Sequence, residues 1–361
     1  MGECVETVQT WNPAREGGGG SFRYIDISSV PHDRKTIAIN GEIPTSEAPS
    51  RARQIVESGD VLVSTVRPNL NAVAYVPDEL NGATASTGFC VLRPDQKRLA
   101  GRYLFHWVQS RKFVADMVKQ ATGQSYPAVS DKIVKLAQIP LPPLHEQNRI
   151  AAILDNADDL RRLRGRAVDR LGELGQAIFC EMFGDPRNNP KGLTKRALGS
   201  IIKVSSGEGL TSKNQRHGTY PVYGGNGING YHDEFRVPEG TIVIGRVGVY
   251  CGAVHVTAAP AWVTDNALIV TKKDASIDTT YLADALRYAN LNQYASRSAQ
   301  PLVSGSRIYP VEILVPEAAE QNKFKSRICE RNALVENERA HLEQLEALFS
   351  SLQSRAFRGE L

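Results

Sequence analysis

Arginine, asparagine and glutamine are the side chains that pair bidentately with base edges, while lysine, serine and tyrosine reach phosphates. This sequence sets such residues in two comparable groups. The first holds Arg51, Arg53, Arg67, Asn69 and Asn71, followed by Gln124, Ser125 and Tyr126. The second holds Asn226, Asn229, Tyr231, Arg246 and Asn266, followed by the run Arg297-Ser-Ala-Gln300. Taken singly, most are ordinary solvated loop residues; as sets in equivalent places they read as two DNA-contacting surfaces. Arg161, Arg162, Arg164, Arg166 and Arg170 form a further basic cluster. At helical spacing this is first of all the solvated flank of a coiled coil, with DNA contact the lesser alternative.

Other chemistries fit poorly. Gly225-Asn-Gly-Ile-Asn-Gly230 matches GxGxxG, but a dinucleotide site needs a strand before the glycines and a helix starting on them. Here Tyr231-His-Asp-Glu-Phe-Arg-Val-Pro238 follows, so a surface loop is expected. Gly207-Glu-Gly-Leu-Thr-Ser-Lys213 lacks the P-loop spacing and reads as a turn, and the glycine run Gly17–Gly20 reads as a flexible loop, with a phosphate cradle the lesser alternative. Asn188-Asn-Pro190 only faintly matches the tetrapeptide with which amino-methyltransferases hold a base, and no cofactor loop precedes it. The seven histidines show no ligand spacing, and no Ser/His/Asp or Cys/His arrangement stands out. His145 beside Glu146 reads as a helix-terminal residue. The five cysteines are scattered without a close pair, which argues against a disulfide framework or a zinc site and fits a reducing compartment. A net charge of +4 is compatible with nucleic acid without establishing it. The absence of a catalytic constellation favours binding or scaffolding.

The elements that would position the two polar sets are themselves duplicated. Residues 127–148 lie over 301–322 at a constant offset of 174 with eight of 22 positions identical, and the offset persists to Phe183/Phe357. One folding unit has therefore been repeated. Each copy reads as short strand-like runs followed by a long helix. The runs are Tyr24–Ile27, Val61–Val66 and Phe89–Leu92 in the first, and Ile201–Val204, Thr241–Ile244 and Leu268–Val270 in the second. Helical patches are expected over Tyr103–Gln120 and Tyr281–Tyr294. Ile153, Leu160, Ala167 and Leu174 fall at sevens, as do Ile328, Val335, Leu342 and Phe349, with Ala157, Leu171, Ile178, Leu345 and Leu352 between them. That periodicity spans about five heptads, roughly 50 Å of helix. The expected fold is α+β: residues 1–144 and 185–317 as strand-rich domains, 145–184 and 318–361 as long helices. The helices are expected to pair as an antiparallel coiled coil with pseudo-twofold symmetry, the globular segments at opposite ends. No run approaches the ~18 apolar residues of a membrane span and no targeting segment is evident, so a cytoplasmic location is expected.

Longer stretches resemble the specificity subunit of type I restriction-modification systems. They are Ala48–Arg53, Gly59-Asp-Val-Leu-Val-Ser-Thr-Val-Arg-Pro68, Ser86–Pro94, Ile139-Pro-Leu-Pro-Pro-Leu-His-Glu-Gln147, Arg149–Asp155, Tyr220–Tyr231 and the tail Arg355–Leu361. Pro316-Glu-Ala-Ala-Glu-Gln321 is a degenerate second copy of the Pro-Pro-Leu-x-Glu-Gln junction. Only the first twenty or so residues depart. The resemblance implies two target recognition domains, each reading half of a bipartite, asymmetric DNA sequence. It also implies helices that act as a ruler for the gap and dock two modification (methyltransferase) subunits. S-adenosylmethionine would belong to those subunits, and ATP-driven cleavage to restriction subunits, leaving this chain non-catalytic and without a cofactor. The family implies no base contacts, so the DNA-contact set Arg51, Arg53, Arg67, Asn69, Gln124, Tyr126, Asn226, Asn229, Tyr231, Arg246 and Arg297 rests on position and chemistry. A stand-alone bivalent DNA binder and a nucleotide-dependent enzyme using Gly225–Gly230 are the competing readings.

Overall fold

The structure, a computed structural model, describes residues 1–39, 41–297 and 300–361. It divides into two compact units: Met1–Arg164 with His341–Leu361, and Gly165–Ala340. The boundary passes through both long helices, Leu144–Phe183 and Ala318–Ala356. Each unit therefore contains one strand-rich segment and part of each helix.

In the first unit β1 (Val5–Glu6), β2 (Val61–Ser64), β3 (Val73–Tyr75) and β4 (Phe89–Pro94) form an antiparallel sheet in the order β1–β4–β2–β3. Val61, Val63, Cys90 and Leu92 pack with Tyr103 and Phe105 of α1 (Gly101–Val108), Phe113 of α2 (Arg111–Gln120) and Leu154 of α3 (Leu144–Phe183). Leu62, Ala74, Phe89 and Val91 pack instead with Ile25 and Ala85 of a smaller sheet. A sheet covered on both faces has no polar side, which is why Val61-Leu62-Val63 shows no alternation. The patch 103–120 breaks in two because the Ser110 hydroxyl accepts from Phe113 N at 3.2 Å and starts a new helix there. Across the sheet, Arg93 Nε and one terminal nitrogen donate to the two oxygens of buried Asp60 at 3.0 and 2.8 Å. The other terminal nitrogen reaches Glu57 at 2.8 Å.

The second unit repeats this plan. Its sheets use β5 (Ile202–Ser206), β6 (Tyr220–Gly224), β7 (Gly227–His232), β8 (Ile242–Gly245), β9 (Val254–Val256), β10 (Trp262–Val263) and β11 (Ala267–Lys272), beside a separate antiparallel pair of Thr194–Ala197 with Glu312–Val315. The main sheet runs β5–β11–β8–β9, the same order as in the first unit, and β7–β6–β10 form a second sheet. Ile242 and Ile244 pack with Tyr281 and Leu282 of α4 (Thr279–Tyr288), while Val243 packs on the other face with Tyr223 and Val263. The helical patch stops at Tyr288 because Asn290 takes a left-handed conformation (φ 47°), and a 3-10 turn Leu291–Tyr294 follows.

The duplicated junction motif has a structural reason. Gln147 and Gln321 are both buried. Gln147 Oε1 accepts from Ala100 N at 2.9 Å, and its amide donates to Arg98 O and Pro142 O at 2.9 and 2.8 Å. Gln321 Oε1 accepts from Asp278 N at 2.7 Å and its amide donates to Pro316 O at 2.9 Å. Each glutamine thus pins the start of a long helix to the start of an earlier helix, α1 or α4, satisfying backbone groups that burial would otherwise leave without partners. Tyr103 and Tyr281 likewise donate to Pro140 O and Leu314 O, carbonyls 174 residues apart.

Within each unit the long helices run antiparallel. In the first, the Arg149 side chain meets Leu361 O and the Arg161 guanidinium lies 4.6 Å from the centre of the Phe349 ring. In the second, Phe183 packs on Phe324 and Glu181 pairs with Arg327 at 2.8 Å, the numbers again running in opposite directions. The expected heptad phase of the second copy holds, since Ile328, Val335 and Phe349 of α5 (Ala318–Ala356) are buried. In α3 it is one residue early. Leu160 and Leu174 are 53% and 41% exposed, and Leu154 and Gly175 are buried in their place. The positions that match Ile328, Val335, Leu342 and Phe349 at offset 174 are Leu154, Arg161, Val168 and Gly175. An arginine and a glycine occupy that row, so apolarity pointed to its neighbour. Arg161 stacks on Phe349, and Gly175 leaves room for Arg331. Asp158 binds both Arg161 and Arg162, which takes those two arginines out of the basic cluster as candidate DNA contacts.

Cys4, Cys90 and Cys251 are buried, whereas Cys180 and Cys329 are exposed. Burial pushes the Cys90 thiol up to about 12. A thiol reagent at pH 8 is expected to titrate two cysteines in the native protein and five in denaturant. More than two in the native state would contradict this packing. No helix among the described residues is long and apolar enough to cross a membrane.

Candidate nucleic-acid interface

In the first unit the connection after β2 turns sharply. Arg67 and Asn71 both adopt left-handed conformations (φ 50° and 49°) around the turn Pro68–Leu70. Arg67 N donates to Pro127 O at 2.7 Å, Val66 forms a bridge with Ala128, and Val129 N donates to Thr65 O at 2.9 Å. These bonds lace the late loop onto the turn, setting the Arg67 guanidinium 4.7 Å from the centre of the exposed Tyr126 ring. Gln124 and Asn69 are exposed in the same two segments. Arg51 is exposed, and its carbonyl accepts from Thr87 N, next to Gly88, whose carbonyl accepts from Thr65 N. Arg53 is half-buried and donates to Ala52 O at 2.6 Å along its own strand.

Asn71 does structural work instead. Its amide donates to Val108 O at 2.8 Å and its side-chain oxygen accepts from Lys35 Nζ at 3.0 Å. Burial lowers the Lys35 ammonium to about 8, with the Arg161 charge adding to the effect.

In the second unit Asn226 is exposed at the tip of the β6–β7 hairpin. The tip rests on two other loops: a Cβ at Gly225 would lie 3.2 Å from Asn266 O and 3.5 Å from Val247 O. Arg246 N donates to Asn266 O at 2.9 Å, and its side chain reaches Ser206 Oγ at 2.9 Å and Asp265 O at 3.3 Å. Asn226, Arg246 and Asn266 thus converge from three connections. Asn229 stands on β7 beside Gly224. Tyr231 is exposed four residues along β7 from the Gly227 end, about 13 Å from the tip. Arg297 is exposed; Ser298 and Ala299 of its loop lie outside the described residues. Gly225–Gly230 form a hairpin turn and strand, with no helix on the glycines to receive a phosphate.

The two faces are built on one backbone frame. Gly248 N donates to Pro301 O at 3.0 Å, Val247 bridges Leu302, and Val303 N donates to Arg246 O at 2.8 Å. These repeat the bonds at Pro127, Ala128 and Val129 exactly 174 residues on. On that frame Thr65 corresponds to Arg246 and Arg67 to Gly248, so the guanidinium is offered from different places in the two units. Sequence reading gathered polar side chains only, and it missed Ser206 and Asp265, which hold Arg246, and the apolar pair Val249 and Tyr250 beside it.

The type I restriction modification DNA specificity domain matches this chain twice, over residues 24–166 and 190–347. The chain belongs to that family. Within the family it is 32% identical over 132 residues to the type I restriction enzyme EcoprrI specificity subunit of Escherichia coli, covering 35% of this chain and 33% of that one. It is 25% identical over 224 residues to the MjaIX specificity subunit of Methanocaldococcus jannaschii, covering 57% and 51%. These alignments span a third to a half of the relatives' lengths. A solved chain from work on complex assembly and conformational transition of the type I R-M system is matched over 100% of this chain and 97% of its own, with TM-score 0.60 and 26% identity. The type I restriction-modification S subunit from M. genitalium is matched over 97% and 96% with TM-score 0.59; at 15% identity this is a likeness of fold. In this specificity-family chain, the motif residues Asp60, Arg93 and Gln147 serve packing, and the loops between the motifs form the two faces.

Proposed function

We propose that this chain is the DNA-specificity subunit of a type I restriction-modification complex, binding a bipartite, asymmetric duplex target with one unit on each half. The observation that carries the reading is the double match of the specificity domain onto two units with the same loop frame and different side chains on it. One frame with two chemistries suits two different half-sites. Contacts are assigned to Arg51, Arg53, Arg67, Asn69, Gln124 and Tyr126 on one half, and to Asn226, Asn229, Tyr231, Arg246 and Arg297 on the other. The long helices act as a ruler for the gap between halves. The chain itself is non-catalytic and works in the cytoplasm.

Two modification subunits would dock on the helices, with restriction subunits joining the assembly. The exposed leucines support docking. Leu160 and Leu334 are each 53% exposed and Leu174 and Leu348 are 41% and 49% exposed, each pair at the repeat offset of 174. Apolar residues left open at the same place in both copies suit two copies of one partner. S-adenosylmethionine and ATP would enter with the partner subunits.

The test is single-molecule sequencing of DNA from cells that co-express this chain with its modification subunit. The expected result is methylated adenine in a split motif with a fixed gap. No methylation, with a soluble and cofactor-bound partner, would favour a stand-alone binder. In the same assay Arg246→Ala or Asn226→Ala is expected to relax only one half of the motif by about 10-fold to 100-fold in selectivity. Uniform weakening on all sequences would mark those residues as phosphate contacts.

A further inference from the structure

We propose that Val249 and Tyr250 form an apolar wedge that enters a base step of duplex DNA in the half-site facing the second unit. This rests on the DNA reading of that face. Val249 is 89% exposed and Tyr250 54% exposed, adjacent to each other in the turn between β8 and β9. A scattered apolar residue in water needs no explanation, but a neighbouring pair held outward does.

The turn is built to hold them there. Gly248 N donates to Pro301 O at 3.0 Å, Cys251 N to Gly248 O at 3.1 Å and Ala253 N to Tyr250 O at 3.1 Å. Asn292 donates to Cys251 O at 2.9 Å, and Cys251 itself is buried beneath the turn. Gly248 and Gly252 bracket the pair with φ of 79° and 85°, a conformation that side-chain-bearing residues rarely adopt. A loose loop would fold its apolar tip back onto the surface. This one is tied at both ends.

Its surroundings point to nucleic acid. Val249 is three residues from Arg246, and the carbonyl of Val247 lies against the hairpin tip that carries Asn226. Donors suited to base edges and phosphates thus border an apolar projection, the composition used to unstack and kink a duplex. The pair has no counterpart in the first unit. There the equivalent positions carry buried Pro68 and exposed Asn69, and Leu70 beside them is a single apolar residue, 41% exposed, so the two-residue wedge is assigned to one half-site only.

The experiment uses the complex of this chain with its modification subunit, on the duplex that methylation sequencing identifies, with 2-aminopurine placed at successive steps outside the methylated adenine. The expected result is a fluorescence rise at one step, in one half-site. The double substitution Val249→Ser with Tyr250→Ser is expected to abolish that rise and weaken binding to the target about 10-fold to 100-fold. Its affinity for a scrambled duplex should stay within about twofold of wild type, and both positions being exposed, circular dichroism should be unchanged. Equal fluorescence and affinity for variant and wild type would overturn the wedge. So would an equal loss on both duplexes, or loss of the modification subunit from the complex, the latter marking a protein contact. If the wild-type complex itself shows no sequence-selective binding, the DNA reading fails instead.

Discussion

Replacing Asp60 with leucine is expected to lower the unfolding free energy of the first unit by about 3–5 kcal/mol. Asp60 is 1% exposed and holds Arg93 through two parallel hydrogen bonds, while its Oδ2 also accepts from Glu57 N at 2.8 Å. Removing the carboxylate leaves an arginine, itself only 8% exposed, with a charge that burial penalises and only Glu57 and the cross-strand Glu6 to answer it. The pair joins the turn before β2 to β4, so the loss falls on the sheet from which the Arg67 turn projects. Urea unfolding reads the effect. Asp60→Leu combined with Arg93→Leu should recover a large part of the loss, because a buried ion pair exchanged whole for apolar side chains costs far less than one broken in half. The recovery stays incomplete, since Glu57 N and Ile55 O lose their partners. A single substitution costing under about 1 kcal/mol would mean that water reaches the pair and that the ion pair has no structural role.

Inserting seven residues near Gly165 and seven near Ala340 is expected to lengthen the gap in the methylated motif by about 3 base pairs while leaving both halves unchanged. Seven helical residues add about 10 Å at ~1.5 Å each, and duplex DNA rises about 3.4 Å per base pair. A heptad nearly preserves the facing side of each helix, turning it by only about 20°, so the inward rows Leu154/Gly175 and Ile328/Val335 stay in contact with their neighbours. Insertion in one helix alone breaks that register and should abolish methylation. A lengthened complex that methylates the original motif would sink the ruler.

Much of this was legible in the chain. The offset of 174 exposed the duplication: Gln147 and Gln321 stand at that offset and bond carbonyls at that offset, and Tyr103 and Tyr281, 178 residues apart, reach the equivalent carbonyls of Pro140 and Leu314. The α3 phase was misread because Arg161 and Gly175 stand where the second copy has Val335 and Phe349. An aliphatic count then favours Leu160 and Leu174 by one residue. Asn71 falls in the first polar group, though outside the DNA-contact set, because an asparagine in a polar loop looks the same whether it faces a base or a backbone. Only its bonds to Val108 and Lys35 separate the two.

The division follows from the range of the forces involved. Hydrophobic period, helix-start chemistry and an internal repeat are carried by residues near one another in the chain, so the sequence by itself determined the two copies, the strand-rich segments, the long helices and the family. Which loops make up the two candidate faces is decided by contacts between residues 20 to 60 positions apart: Pro127 on Arg67, Pro301 on Gly248, Asn266 on Arg246 and Val247 under the hairpin tip. Those contacts hold because buried backbone groups must find partners wherever the fold brings them. Which side chains are left outside, the guanidinium of Arg67 on one frame and the bare pair Val249 and Tyr250 on the other, is settled only once that pairing is complete.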